Sequence, residues 1–133
     1  MNTLSVGANL AWQIAAMEAG AAKFQFIETE HIFMGICSLE KVLKLSPENS
    51  GLNQQAYKAL QSEHAILKNL GLNMTQLRRK IRQNLGTGNF KHTEKVIHRS
   101  DACKKMFNRA YELASSSEEI SCLHLLAAIL EKP

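Results

Sequence analysis

Several kinds of protein are excluded by what this 133-residue chain has little of. It holds three cysteines, Cys37, Cys103 and Cys122, an odd number with no Cys-x-x-Cys spacing. A disulfide framework and a structural zinc site both need more thiols at closer intervals. Only 6% of the residues are aromatic, too few to build a stacking platform for nucleic-acid bases. No apolar run approaches the ~20 residues that cross a bilayer, and no basic, apolar and cleavable leader opens the chain. Neither a membrane nor a secretory destination is expected, and the cytoplasm is the expected location. No Gly-x-x-x-x-Gly-Lys-Ser/Thr loop is present, so this chain cannot itself hold ATP in that way. The net charge of +4 leans toward acidic partners without requiring nucleic acid.

What is present is a repeated stretch. Ile27-Glu28-Thr29-Glu30-His31-Ile32 returns as Ile120-Ser121-Cys122-Leu123-His124-Leu125, so that Ile27 with Ile120 and His31 with His124 are both 93 positions apart. Upstream, Ser5, Trp12, Ala15 and Ala19 match Ser100, Phe107, Ala110 and Ala114, each 95 positions apart. The change of two falls at Ser115-Ser116-Ser117, and a length change confined to a turn is what an internal duplication predicts.

The apolar spacing predicts helices throughout, since no run alternates with a period of two. Ser5 caps a helix with Ala8, Ala11, Trp12, Ala15 and Ala19 on one stripe, Trp12 reading as core. Thr29 is expected to cap a second helix with Glu30 in its first turn, where the helix dipole favours a carboxylate. A third helix is expected from about residue 54 to 70, with Leu60, Leu67 and Leu70 inward and Gly71 as its stop. A fourth buries Met74, Leu77, Ile81 and Leu85 and carries Arg78, Arg79, Lys80 and Arg82 on its outer face. After a linker, a fifth and sixth helix repeat the first two. The expected architecture is all-α, a duplicated helical repeat of about six helices whose second copy is incomplete. It divides one domain, 1–133, into a first repeat of about 1–88, a linker 89–99 and a partial second repeat 100–133.

These residues in this order resemble the Clp N-terminal domain, the double-repeat module that precedes the ATPase rings of Clp-type unfoldases. The resemblance is carried by Leu4-Ser5, by Ile27-x-Thr29-Glu30-His31-Ile32-x-x-Gly35-Ile36 and by Leu70-Gly71-Leu72-Asn73. Leu85-Gly86-Thr87-Gly88 continues it, followed by Ser100 with Lys104-Lys105 and by Ile120 with His124-Leu125-Leu126. It implies a non-catalytic module, without a cofactor, that binds unfolded or tagged protein substrates or adaptor proteins for a protein-unfolding chaperone or protease. The ATPase modules would then lie elsewhere in a parent chain. The alternative is a stand-alone adaptor that binds such a machine, and more remotely a small enzyme using His31 or His124.

The resemblance places a peptide- or adaptor-binding groove near the starts of the first and fifth helices, at Leu4, Ile97, Arg99 and Lys104. Some relatives use the Glu of Thr-Glu-His to bind phosphorylated arginine. Glu30 matches that position, whereas its second-copy counterpart is Leu123, so such recognition would be one-sided. The link from Lys44 to Ala56 is longer than usual for the family, and the second copy lacks two helices.

Three other groups invite chemistry. His31 and His124 sit near helix starts, where an imidazole completes local hydrogen bonds; a metal would need further ligands converging with them. Cys37 lies two turns beyond His31, at ~1.5 Å rise per residue too far for a hydrogen bond. Arg78, Arg79 and Arg82 form a solvated face or a docking face for an acidic partner. No catalytic or metal-binding residue is assigned.

Overall fold

The computed structural model describes residues 3–92, 96–115 and 119–131. Among the described residues six helices carry the fold: α1 (Val6–Ala21), α2 (Thr29–Leu43), α3 (Gln54–Lys68), α4 (Met74–Leu85), α5 (Asp101–Ala114) and α6 (Cys122–Leu130). The chain is all-α, as its periodicity predicts, apart from two very short strands, β1 (Thr3–Leu4) and β2 (Glu119–Ile120), which pair in parallel. At two residues each, they are too short to reveal themselves by alternation.

α1 and α2 form the tightest pair, and their side chains explain why. Ala8, Ala11, Ala15 and Ala19 are completely buried on one stripe of α1. Opposite Ala11, α2 presents Gly35, where an added Cβ would collide with the Ala11 carbonyl oxygen. Small residues on both sides bring the backbones into direct contact. Ile32, Ile36 and Leu39 of α2, Leu60 and Leu67 of α3 and Leu125 of α6 fill the remaining core. Burial of each such side chain stabilises the fold by roughly 1.5–3 kcal/mol relative to exposure. Tyr57 also packs inward, and its hydroxyl reaches the Leu43 and Leu45 carbonyl oxygens, each at 2.9 Å, tethering the long link between α2 and α3. Leu70, expected inside, is exposed. α3 stops at Lys68, so Leu70 falls in the turn beyond it.

The duplication is visible in backbone hydrogen bonds. Ser5 N–H donates to the Ile120 carbonyl at 2.9 Å, and Ser100 N–H donates to the Ile27 carbonyl at 2.9 Å. Ser5 corresponds to Ser100 and Ile120 to Ile27, so the start of each copy's first helix is held by the start of the other copy's second helix. The copies therefore interlock rather than sit side by side. Trp12 and Phe107, also equivalent, meet with ring centroids 5.1 Å apart.

Where it is described, the expected linker 89–99, with Gly88 just before it, is docked on the segment between α1 and α2. Gly88 N–H donates to the Ala22 carbonyl at 2.7 Å, and Phe90 N–H to the Lys23 carbonyl at 2.9 Å. A side chain on Gly88 would collide with the Lys23 carbonyl oxygen, which accounts for glycine there. The far end of the linker joins the segment just before α2, where Ile27 N–H donates to the His98 carbonyl at 2.9 Å. The two-residue length change between copies falls at Ser115-Ser116-Ser117, of which Ser116 and Ser117 lie outside the described residues.

Candidate functional site

A groove of about 470 Å³ opens between the first half of α1 and the segment that leads into α5. Three of the residues expected near the helix starts, Ile97, Arg99 and Lys104, line it together. Trp12 and Ala16 of α1 form the other wall, with Val96 standing 65% exposed at the rim. Trp12 is therefore half-buried and part of the groove as well as part of the packing beneath it.

Two local features build this site. Ser100 caps α5 by accepting the Cys103 N–H at 3.1 Å, which fixes where the helix begins. Its backbone bond to Ile27 turns the preceding residues 96–99 back across α1. Arg99 then lays its guanidinium over both rings of the central pair, with its carbon 4.5 Å from the Trp12 centroid and 4.8 Å from that of Phe107. Such stacking holds the planar cation by its face and leaves its N–H edge for other partners. The second cation, Lys104, is exposed one turn into α5.

Leu4 and Glu30 stand apart from this groove. Leu4 lies in β1, paired with Ile120 and packed against the core. Its equivalent in the second copy is Arg99, so the pseudo-symmetric position is occupied by a cation on one side and a leucine on the other. Glu30 is exposed in the first turn of α2.

The two histidines have the same structural task. α2 is capped by Glu28, one residue earlier than expected, which makes Thr29 the first helical residue and His31 the third. Glu28 N–H donates to His31 Nδ1 at 2.9 Å, and Ser121 N–H donates to His124 Nδ1 at 3.0 Å. Each imidazole fills the role usually taken by Glu or Gln in a capping box. His31 is fully buried, beneath Phe24 at a centroid distance of 5.0 Å. Burial pulls its pKa below 6.5, against the upward pull of Glu28, Glu30 and Glu18.

The cysteines are equally internal. All three are free and buried, and burial pushes Cys37 up to about 11 and Cys103 up to about 12. Cys122 is also raised, by burial first and then by the nearby Glu63 carboxylate. At neutral pH these are thiols rather than the thiolates that nucleophilic chemistry requires. Among the described residues, no group of three or more His, Cys, Asp or Glu side chains could hold a metal ion. No helix among them is long and apolar enough to cross a membrane.

The expected basic face is corrected at Arg78. This residue is only 5% exposed, with Nη1 3.4 Å from Ser38 Oγ and Nε without a partner. Arg78 lies four residues after Met74 and three before Ile81, so helical spacing turns it to the inner side of α4. Arg82 is tied to Glu18 of α1 at 2.6 Å, whereas Arg79 is exposed.

Sequence reasoning missed Glu63 of α3. Its Oε2 accepts from Ser5 Oγ at 2.7 Å and from Cys122 N–H at 2.8 Å, and its Oε1 accepts from Gly7 N–H at 3.0 Å. One carboxylate thus closes the N-termini of both α1 and α6, where unpaired N–H groups and helix dipoles favour negative charge. Gly7 makes room for it, since a Cβ there would lie 2.6 Å from Oε1.

The described residues thus form a duplicated helical module with a surface groove between α1 and the start of α5. A family model for the Clp repeat N-terminal domain matches residues 3–133, and the chain belongs to that family. The family supplies the N-terminal, non-catalytic module of Clp-type chaperones and proteases. No curated protein matches the chain.

Proposed function

We propose that this chain is the recognition module of a Clp-type protein-unfolding machine, and that it receives extended segments of unfolded or tagged proteins, or of an adaptor, in the groove between α1 and residues 96–104. The observation that carries this reading is the convergence of Trp12, Ile97, Arg99 and Lys104 on one concavity. Apolar walls supply burial for side-chain anchors, and the cations at the edge supply orientation. In this reading repeat one spans about 1–88 and gives one wall through α1, residues 96–99 of the linker 89–99 give the other, and Lys104 of the partial second repeat 100–133 stands at the edge. ATP hydrolysis belongs to other modules of the machine, and the work is cytoplasmic.

Titration of the domain with a fluorescently labelled, permanently unfolded protein tests this. Saturable binding in the micromolar range, without ATP turnover, is the expected result. No binding at hundred-micromolar domain concentrations overturns direct substrate recognition.

A further inference from the structure

The chemistry of the groove points to the class of segment it takes, on the premise that the groove is the recognition site proposed above. Its charged lining residues are Arg99 and Lys104, and no carboxylate lines it among the described residues. The ion pairs among those residues join Lys44 to Glu40, Arg82 to Glu18, and Arg109 to Glu112 and Glu131. Neither groove cation takes part in one. Arg99 is more than a loose surface charge, because Trp12 and Phe107 hold its guanidinium plane from below. A guanidinium fixed in this way has surrendered part of its side-chain freedom before any ligand arrives, so less is lost when a carboxylate pairs with its edge.

We infer that the groove selects extended peptide segments in which an acidic side chain neighbours an apolar one. The apolar residue lies against Trp12 and Ile97, and the carboxylate accepts from the N–H edge of Arg99, with Lys104 as a second cation nearby. Single-stranded nucleic acid fits less well. The exposed ring face that a base would need is already taken up, as Trp12 packs on Phe107 beneath Arg99. Basic segments are repelled by both cations, which makes the charge pattern a filter against wrong partners as well as an attraction for right ones.

Three peptides of equal length and identical apolar residues, with blocked termini, provide the test. One carries Glu beside each apolar residue, one Gln and one Lys, and each is titrated calorimetrically into the domain at low and at physiological salt. The Glu peptide is expected to bind about tenfold tighter than the Gln peptide, and the Lys peptide more weakly than either. Arg99→Gln is expected to remove most of the Glu-over-Gln preference while binding of the Gln peptide changes by less than about threefold. Because Arg99 also packs on two rings, Lys104→Gln serves as a second variant that leaves the stack intact, with an expected partial loss of the preference. Equal binding of all three peptides, or a Glu preference that survives both substitutions, overturns the charge selection while leaving recognition in place. Failure of all three peptides to bind removes the recognition reading itself and the selection with it.

Discussion

Glu63 offers the sharpest test of how the two copies are locked together. Its carboxylate receives one hydroxyl and two backbone N–H groups from the starts of α1 and α6, at 2.7–3.0 Å. A hydrogen bond to a charged group contributes roughly 1.5–3 kcal/mol net, and the values for three bonds on one carboxylate do not simply add. The Ser5 hydroxyl can turn to water when the carboxylate is gone, since it also caps α1 by accepting the Ala8 N–H at 3.0 Å. The Gly7 and Cys122 N–H groups have less freedom. Glu63→Ala is therefore expected to lower stability by about 3 kcal/mol. Glu63→Gln should cost about 1–2 kcal/mol, because an amide oxygen still accepts while its NH₂ confronts a donor. Gly7→Ala pushes the carboxylate away from the same site, so its cost and that of Glu63→Ala should overlap rather than add. Urea unfolding followed by tryptophan fluorescence compares the unsubstituted chain, the three single variants and the Glu63→Ala/Gly7→Ala double variant. A loss below about 0.5 kcal/mol for Glu63→Ala, or full additivity with Gly7→Ala, would refute the idea that this carboxylate joins the two helix starts.

Two further outcomes follow from buried titratable groups. The folded pKa of His31 lies below its unfolded value of 6.5, so its contribution is fully present above pH 6.5 and declines as pH falls below it. The decline approaches at most about 1.4 kcal/mol per pH unit. His31→Gln, which keeps a side-chain acceptor for the Glu28 N–H, should flatten the slope between pH 7 and 5; an unchanged slope would assign the acid sensitivity to other groups. For the cysteines, a thiol reagent at neutral pH should label the native protein far more slowly than the urea-unfolded one, because all three are buried and raised in pKa. Rapid labelling of one cysteine in the native state would contradict its placement.

Much of the architecture was legible because the duplication repeats uncommon choices at fixed intervals. A serine ahead of an apolar stripe and a histidine near a helix start are ordinary alone, but their recurrence at matched spacing locates four of the six helices. Cap positions were less legible. Glu28, Thr29 and Glu30 in succession offer several oxygens, and only the Glu28–His31 bond decides among them. Arg78 was misplaced because a run of basic residues reads as a solvated face, although its spacing from Met74 and Ile81 already set it inward. The groove was placed by the family resemblance, through Ile97, Arg99 and Lys104, and not by any local pattern, and the Glu63 junction left no signal at all. Each is made by residues more than fifty positions apart, brought together by the interlocking of the copies. Trp12 belongs to both worlds, packed on Phe107 beneath the Arg99 guanidinium and lining the groove with the rest of its indole.

That position makes Trp12 a reporter for the central claim, since it is the chain's one tryptophan. Its emission should shift or change intensity saturably as an extended apolar–acidic peptide is added, with the same dissociation constant that calorimetry gives. Binding detected by calorimetry with no change in Trp12 emission at saturation would place recognition elsewhere on the domain and contradict the account.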